Sequence, residues 1–295
     1  RSDSTHSSIF EFNYKDKLKI ELSNLIFMGN YNPLTQLGGL TNNHAVLITN
    51  TNPIVDTTRI SDSMVVDIDS CEFTKFVVAG VVFQHTPIWS STAYLKRTGK
   101  FRLTNNLFYN LGSNGFIGSG INNWDSYIYN NSITTIRGKT GQPYTFAMLL
   151  FNCSQVLVER NYVESVGKYD SLGGCGLYSG DVDSVIYRRN EVRNIYGKYG
   201  QVQEGTGLYF DGFCKYSTME YNFLGNCYGT AIGMTWGENL IFRYNISIQD
   251  SCFATNIGIG YNTTASKNIY IYNNLFYMKK RVNVGSNFWS STTVN

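Results

Sequence analysis

Asp211 in YFDGF, Glu238 in TWGEN and Asp183 in GDVD are the side chains of this sequence best placed for acid–base chemistry, with Glu204 a fourth acid just upstream of Asp211. Two carboxyl groups held ~5 to 10 Å apart can divide a bond cleavage between them, one protonating the leaving oxygen while the other attacks or activates water. The segments GCGLYSG, GTGLYFDG and GTAIGMTWG align on Leu177, Leu208 and Ile232. That alignment puts Gly180, Asp211 and Thr235 in one column and Asp183, Cys214 and Glu238 in another. If the segments are neighbouring strands ~4.8 Å apart, Asp211 lies one strand from each of the other two acids. Asp211 is then the expected nucleophile or base, and Glu238 or Asp183 the expected acid. Tyr209, Tyr178 and Trp236 are the rings expected to contact a substrate, together with Glu204. An acid beside glycine at a strand end is equally a turn former, and Trp236 equally a corner packer.

The elements that would hold these residues repeat along the chain. Asn106, Asn131, Asn161, Asn190, Asn222, Asn245 and Asn274 recur at spacings of 25, 30, 29, 32, 23 and 29 residues, each between two short apolar runs. A strand, Asn turn, strand unit with a period of 20 to 50 residues marks a solenoid. Alternation of period two makes Leu177, Leu208, Phe210, Ile232, Met234, Ile257 and Ile259 inward residues, with Tyr209 and Asp211 on the outer face. Helical periodicity is missing from residue 100 onward. The asparagines are expected to be structural, since Asn tolerates left-handed backbone and its amide can bond to the Asn of the next coil. Further coils are expected around Asn24 and Cys71, and residues 28 to 62, with Asn-Pro twice, read as a long lateral loop.

Composition narrows the function classes. The 295 residues are 42% hydrophobic and 15% charged, enough apolar content for one long, thin core and for a single domain over 1–295. A net charge of +3 without a basic run argues against nucleic acid and leaves an anionic polysaccharide open. The 22 Tyr and 18 Phe exceed what short inward strands need, so rings are expected on the surface, where they suit sugars or simply stack. Six cysteines form no CxxC pair, which argues against zinc and for buried free thiols. Nothing points to a metal or another cofactor. No stretch reaches the ~18 apolar residues of a membrane helix, so no membrane insertion is expected. The sequence opens on Arg1 without an apolar leader, as expected of a processed form or a piece of a larger protein.

The Asn-punctuated strands from about residue 95 to 280 resemble the right-handed parallel β-helix proteins of the pectin-lyase-like superfamily. The run EGTGLYFDGFCKYSTMEYNFLGNCYGTAIGMTWGENLIFRYNISIQDS is similar to the paired-coil segment of β-helix glycoside hydrolases. That resemblance implies an Asp on such a strand, here Asp211, acting with a nearby acid, here Glu238. The second Asp common in those relatives is Gly212 in this chain. GDVD imitates only the paired Asp of polygalacturonases, and no His lies near it. Arg188, Arg189, Lys215 and Arg243 keep a polysaccharide lyase open as a runner-up. The resemblance also implies an extracellular, periplasmic or virion-surface setting.

Two classes of function follow. An enzyme, a glycoside hydrolase cleaving a polysaccharide or oligosaccharide, requires acids converging on one face over residues 175 to 240. A non-catalytic glycan-binding or structural β-helix, such as a phage tailspike shaft or an adhesin, requires no such convergence. An uncapped solenoid end would invite homo-oligomers through its exposed strands.

Overall fold

Alternating apolar residues in strands of three to fourteen residues wind this chain into a parallel β-helix, all β, with no helix among the described residues. A computed structural model describes residues 8–14, 18–32, 43–50, 64–84, 99–138, 145–168, 173–197, 205–249, 253–258, 266–278 and 287–289. Each coil contributes one strand to each of three faces, as Gly174–Gly180, Ile186–Arg188 and Glu191–Ile195 do in one coil. Strands stack in parallel register on the first face (Leu177 on Leu208), the second (Tyr187 on Met219) and the third (Val192 on Leu224). The third face is a nine-stranded sheet. The first two merge into one eighteen-stranded sheet, because strands such as Thr230–Arg243 continue round the corner between them.

The expected inward residues Leu177, Leu208, Phe210, Ile232 and Met234 are buried in one continuous core. Ile257 pairs in register with Met234, and Ile259 lies outside the described residues. Rings stack inside at the spacing of the coils, as in Phe27–Phe73–Phe108 with centroids 4.9 and 4.8 Å apart. Coils are present at Asn24 and Cys71. The lateral loop read over 28 to 62 is interrupted: His44–Asn50 is a first-face strand paired with Ser8–Tyr14 and Ala79–Gln84. Its alternation buries Val46 and Ile48 in the core, which outweighs the turn residues on either side. Residues 33–42 and 51–63 lie outside the described residues.

The seven asparagines form one ladder at the corner between the second and third faces. Each side-chain oxygen accepts from both the backbone N–H and the Nδ2 of the preceding asparagine, at 2.9 to 3.0 Å from Asn106 to Asn274. Nδ2 also donates to a backbone carbonyl of the coil before, as Asn190 does to Val158 at 2.9 Å. One point differs from expectation. The left-handed residue is not the ladder asparagine but its predecessor: Asn105, Asn130, Arg160, Arg189, Tyr221, Tyr244 and Asn273 all have φ of 54 to 56°. The left-handed residue turns the chain, which frees the ladder amide to point inward. Cys71 takes the ladder position one coil earlier, where its N–H donates to Asn106 Oδ1 at 2.9 Å.

Cys71, Cys153, Cys175, Cys214 and Cys227 are buried free thiols, and Cys252 lies outside the described residues. Burial pushes the Cys153 thiol up from 9.0 to about 12.

Asn190→Ala should cost about 2 to 4 kcal/mol, because it strands the buried donors of Asn161 and the Val158 carbonyl. Denaturant titration checks this, and Asn274→Ala at the ladder's exposed end should cost less. A raised thiol stabilises the fold below its unfolded value and loses that contribution as pH climbs through its folded one. Melting temperature should therefore fall between pH 9.0 and about 12, and Cys153→Ala should flatten part of that slope.

Candidate functional site

The site is organised by one extra residue. Thr206–Lys215 and Thr230–Arg243 pair in simple register as far as Phe210 on Met234, then slip, so that Phe213 faces Trp236, Cys214 faces Gly237 and Lys215 faces Glu238. Gly212 takes up the slip with φ of 68°, a conformation glycine adopts at no steric cost. Asp211 holds the bulge: its Oδ1 accepts from Gly212 N–H at 2.8 Å and from the Thr235 hydroxyl. This explains why glycine, not a second Asp, follows Asp211.

The bulge corrects the column expected from the sequence. Asp183 bridges to Ser154 on one side and Lys215 on the other, Lys215 pairs with Glu238, and Glu238 with Lys267. The column thus reads Ser154, Asp183, Lys215, Glu238, Lys267, and Cys214 points into the core instead. A single inserted residue moves every following side chain to the other face, which alignment from Leu208 alone does not register. The ladder carries the missing signal: Asn222 follows Leu208 by fourteen positions, whereas Asn190 follows Leu177 and Asn245 follows Ile232 by thirteen. Counted back from the ladder, Asp183, Lys215, Glu238 and Lys267 all fall seven positions before their asparagines.

Asp211 pairs with Gly180 as expected, but its carboxylate is enclosed by protein donors. Besides the Gly212 and Thr235 bonds to Oδ1, the Tyr178 hydroxyl donates to Oδ2 at 2.6 Å. Burial, then the Asp211 charge, push both the Tyr178 and Tyr209 phenols above their ordinary range, so both stay protonated and Tyr178 remains a donor to Asp211. Tyr209 is only 6% exposed, which removes the open sugar-contacting ring expected there. The outer side of the first face is itself apolar, with Val82, Ile117, Leu149 and Phe151 buried on it, and Tyr178 packs against that cluster with Tyr209 edge-on beside it.

Trp236, Phe213 and Glu238 instead meet in a cleft of about 110 Å³ at the corner between the first and second faces. The Phe213 and Trp236 rings lie 5.8 Å apart and form one wall, with Phe213 half exposed. Lys215, Glu238 and Lys267 form the other, with Lys215 Nζ 4.0 Å from Glu238 Oε2. Gly237 lies between them, where a Cβ would come within 2.3 Å of Leu240 Cδ1. Phe213 and Lys267 are functional candidates that reading the sequence missed. Asp183 is half-buried in the same column as Glu238, two coils away, and accepts from the Ser184 hydroxyl at 2.6 Å. Glu204 lies outside the described residues.

Of the cations that favour a lyase, the three arginines are paired away from the cleft, and Lys215 alone stands in it. Arg188 and Arg189 grip Glu159, Arg243 grips Glu220, and Lys215 neighbours Glu238. Among the described residues no group of three or more His, Cys, Asp or Glu lies close enough to hold a metal ion. No helix among them is long and apolar enough to cross a membrane.

No family model matches this chain, and no curated protein matches it. Among solved structures, the catalytic domain of a GH87 alpha-1,3-glucanase in complex with tetrasaccharides is similar at a TM-score of 0.23 and 11% identity. The match covers 97% of this chain and 64% of that one, and transfers no site residue.

Proposed function

We propose that the protein is a carbohydrate-active β-helix, and specifically a glycoside hydrolase, whose sugar site is the Trp236 cleft. The observation that carries this reading is the pairing of two adjacent rings, Phe213 and Trp236, with a carboxylate and two ammonium groups across a cleft of about 110 Å³. An aromatic wall takes the apolar face of a sugar, and the charged wall bonds its hydroxyls. Under this reading Glu238 donates the proton to the glycosidic oxygen. Asp183 lies two strands away in the same column, ~10 Å along the stack, a spacing near the wide separation at which a second carboxylate activates water instead of attacking the sugar. Asp211 acts through structure, fixing the bulge that turns Phe213 outward.

A second reading is a glycan-binding β-helix without catalysis. The alternation of charge in Asp183, Lys215, Glu238 and Lys267 favours it, since opposite charges on neighbouring strands stabilise a sheet with no catalytic role.

Incubation with a panel of soluble polysaccharides separates the two. A hydrolase generates new reducing ends, Glu238→Gln lowers that rate by roughly a hundredfold or more without shifting the melting temperature, and Trp236→Ala raises KM. Retention on a polysaccharide matrix that Trp236→Ala abolishes, without any product, establishes the binding reading; unsaturated chain ends would establish a lyase. Asp211→Ala should lower stability by about 1 to 3 kcal/mol in thermal denaturation, because the half-buried Tyr178 hydroxyl loses its acceptor.

A further inference from the structure

Among the described residues, exposed aromatic rings are unevenly distributed: before residue 213 they are Phe10 and Trp124, and from Phe213 to Tyr277 they recur in successive coils. Three of them, Tyr216, Tyr221 and Tyr244, occupy left-handed backbone with φ of 47, 56 and 56°. That conformation is cheap for Asn and costly for a bulky ring. The same corner columns hold no other ring among the described residues: Asn105, Asn130, Arg160, Arg189 and Asn273 stand in the column of Tyr221 and Tyr244, and Gln155, Ser184, Asn239 and Asn268 in that of Tyr216. Burial does not offset the cost, since the three rings are 57, 50 and 39% exposed. Tyr221 and Tyr244 stack at 5.0 Å, which recovers part of it, and Tyr272 meets Tyr244 edge-on at 6.1 Å. Arg243 fixes this corner, with Nη1 donating to the Tyr272 hydroxyl at 3.2 Å and its guanidinium 5.9 Å from the Tyr244 ring centre.

The Tyr221–Tyr244–Tyr272 corner and the Trp236 cleft bound the same stretch of the second face. Past the left-handed Asn239 that turns the corner, the strand advances ~10 Å from Leu240 to Arg243 at its usual rise, and Tyr270 stands on the outer side of that face beside Ile241. We propose that an extended oligosaccharide lies across this face, along the strands and transverse to the helix axis, one end in the Trp236 cleft and the other on the Tyr221–Tyr244–Tyr272 corner. The inference rests on the sugar site proposed above and adds a second subsite to it. A glycan fits the surface better than a protein does, because rings here are interleaved with the exposed charges of Lys215, Glu238 and Lys267, and charged residues are depleted from the cores of protein interfaces. Corner rings already held by stacking and by Arg243 lose little freedom on binding.

The test uses the full chain, with disaccharides and hexasaccharides drawn from a neutral α-glucan, a neutral β-glucan and a polyuronate, and calorimetry as the readout. The variant is Tyr221→Asn with Tyr244→Asn, chosen because asparagine already serves this corner in other coils and so preserves the turn. Hexasaccharide binding should weaken roughly tenfold in the double variant while disaccharide binding in the cleft is unchanged, and Trp236→Ala should weaken both. Equal hexasaccharide affinity in the double variant and the unmodified protein would overturn the transverse path alone. No binding of any sugar by the unmodified protein would overturn the cleft reading and this one together. A dimer in light scattering that the double variant abolishes, with sugar affinities intact, would assign the corner to self-association and overturn the proposal.

Discussion

Each coil carries backbone into a buried corner between the second and third faces, and the asparagine ladder is what satisfies it. One amide per coil accepts two bonds from the coil before and donates both its protons, so the donors and acceptors of this corner are closed by a single residue type. The cost of breaking that closure fixes the ladder in register from Asn106 to Asn274. Sequence variation in coil length is therefore pushed elsewhere, either into the segments between the third and first faces or into the corner between the first and second.

That displacement makes the candidate site. The coil of Asp211 has one residue more between its first-face core position and the ladder than its neighbours have. With the ladder unable to yield, the surplus residue becomes the Gly212 bulge, and the slip sets Phe213 opposite Trp236 instead of burying it. A similar surplus shows in the coil of Asn131, where the register between Asn122–Tyr129 and Ser154–Glu159 also slips. Bulges are thus the means by which a repeat with a rigid corner presents side chains that the repeat itself would not present.

The architecture was legible because burial and amide pairing are periodic signals. Alternation identified Leu177, Leu208, Phe210, Ile232 and Met234 as core, and the recurrence of Asn identified the ladder. The site was only partly legible, because it arises where the period fails. Aligning forward from Leu208 put Cys214 between Asp183 and Glu238; counting back from Asn222 puts Lys215 there, as the pairing does. Tyr209 was misplaced for a different reason. Alternation correctly assigns it to the outer side, but an outer face can itself be apolar and covered, as Val82, Ile117 and Leu149 are. Period two specifies a side of the sheet and says nothing about whether that side meets water.

The left-handed residue before each ladder asparagine is the variable position of the corner. Its backbone is set by the turn, so its side chain is free to change with little effect on the core, and the column runs through Asn, Arg and Tyr. The cheapest occupant is asparagine, so a departure to tyrosine needs a compensating gain, in stacking or in contact with something outside the protein. Stacking accounts for part of it at Tyr221 and Tyr244. What remains is concentrated in the same coils as the Gly212 bulge and the Trp236 cleft. Two independent departures from the repeat, one inserted residue and one set of costly corner rings, fall on either side of one face, and the proposed glycan path across the second face rests on that coincidence rather than on the acids alone.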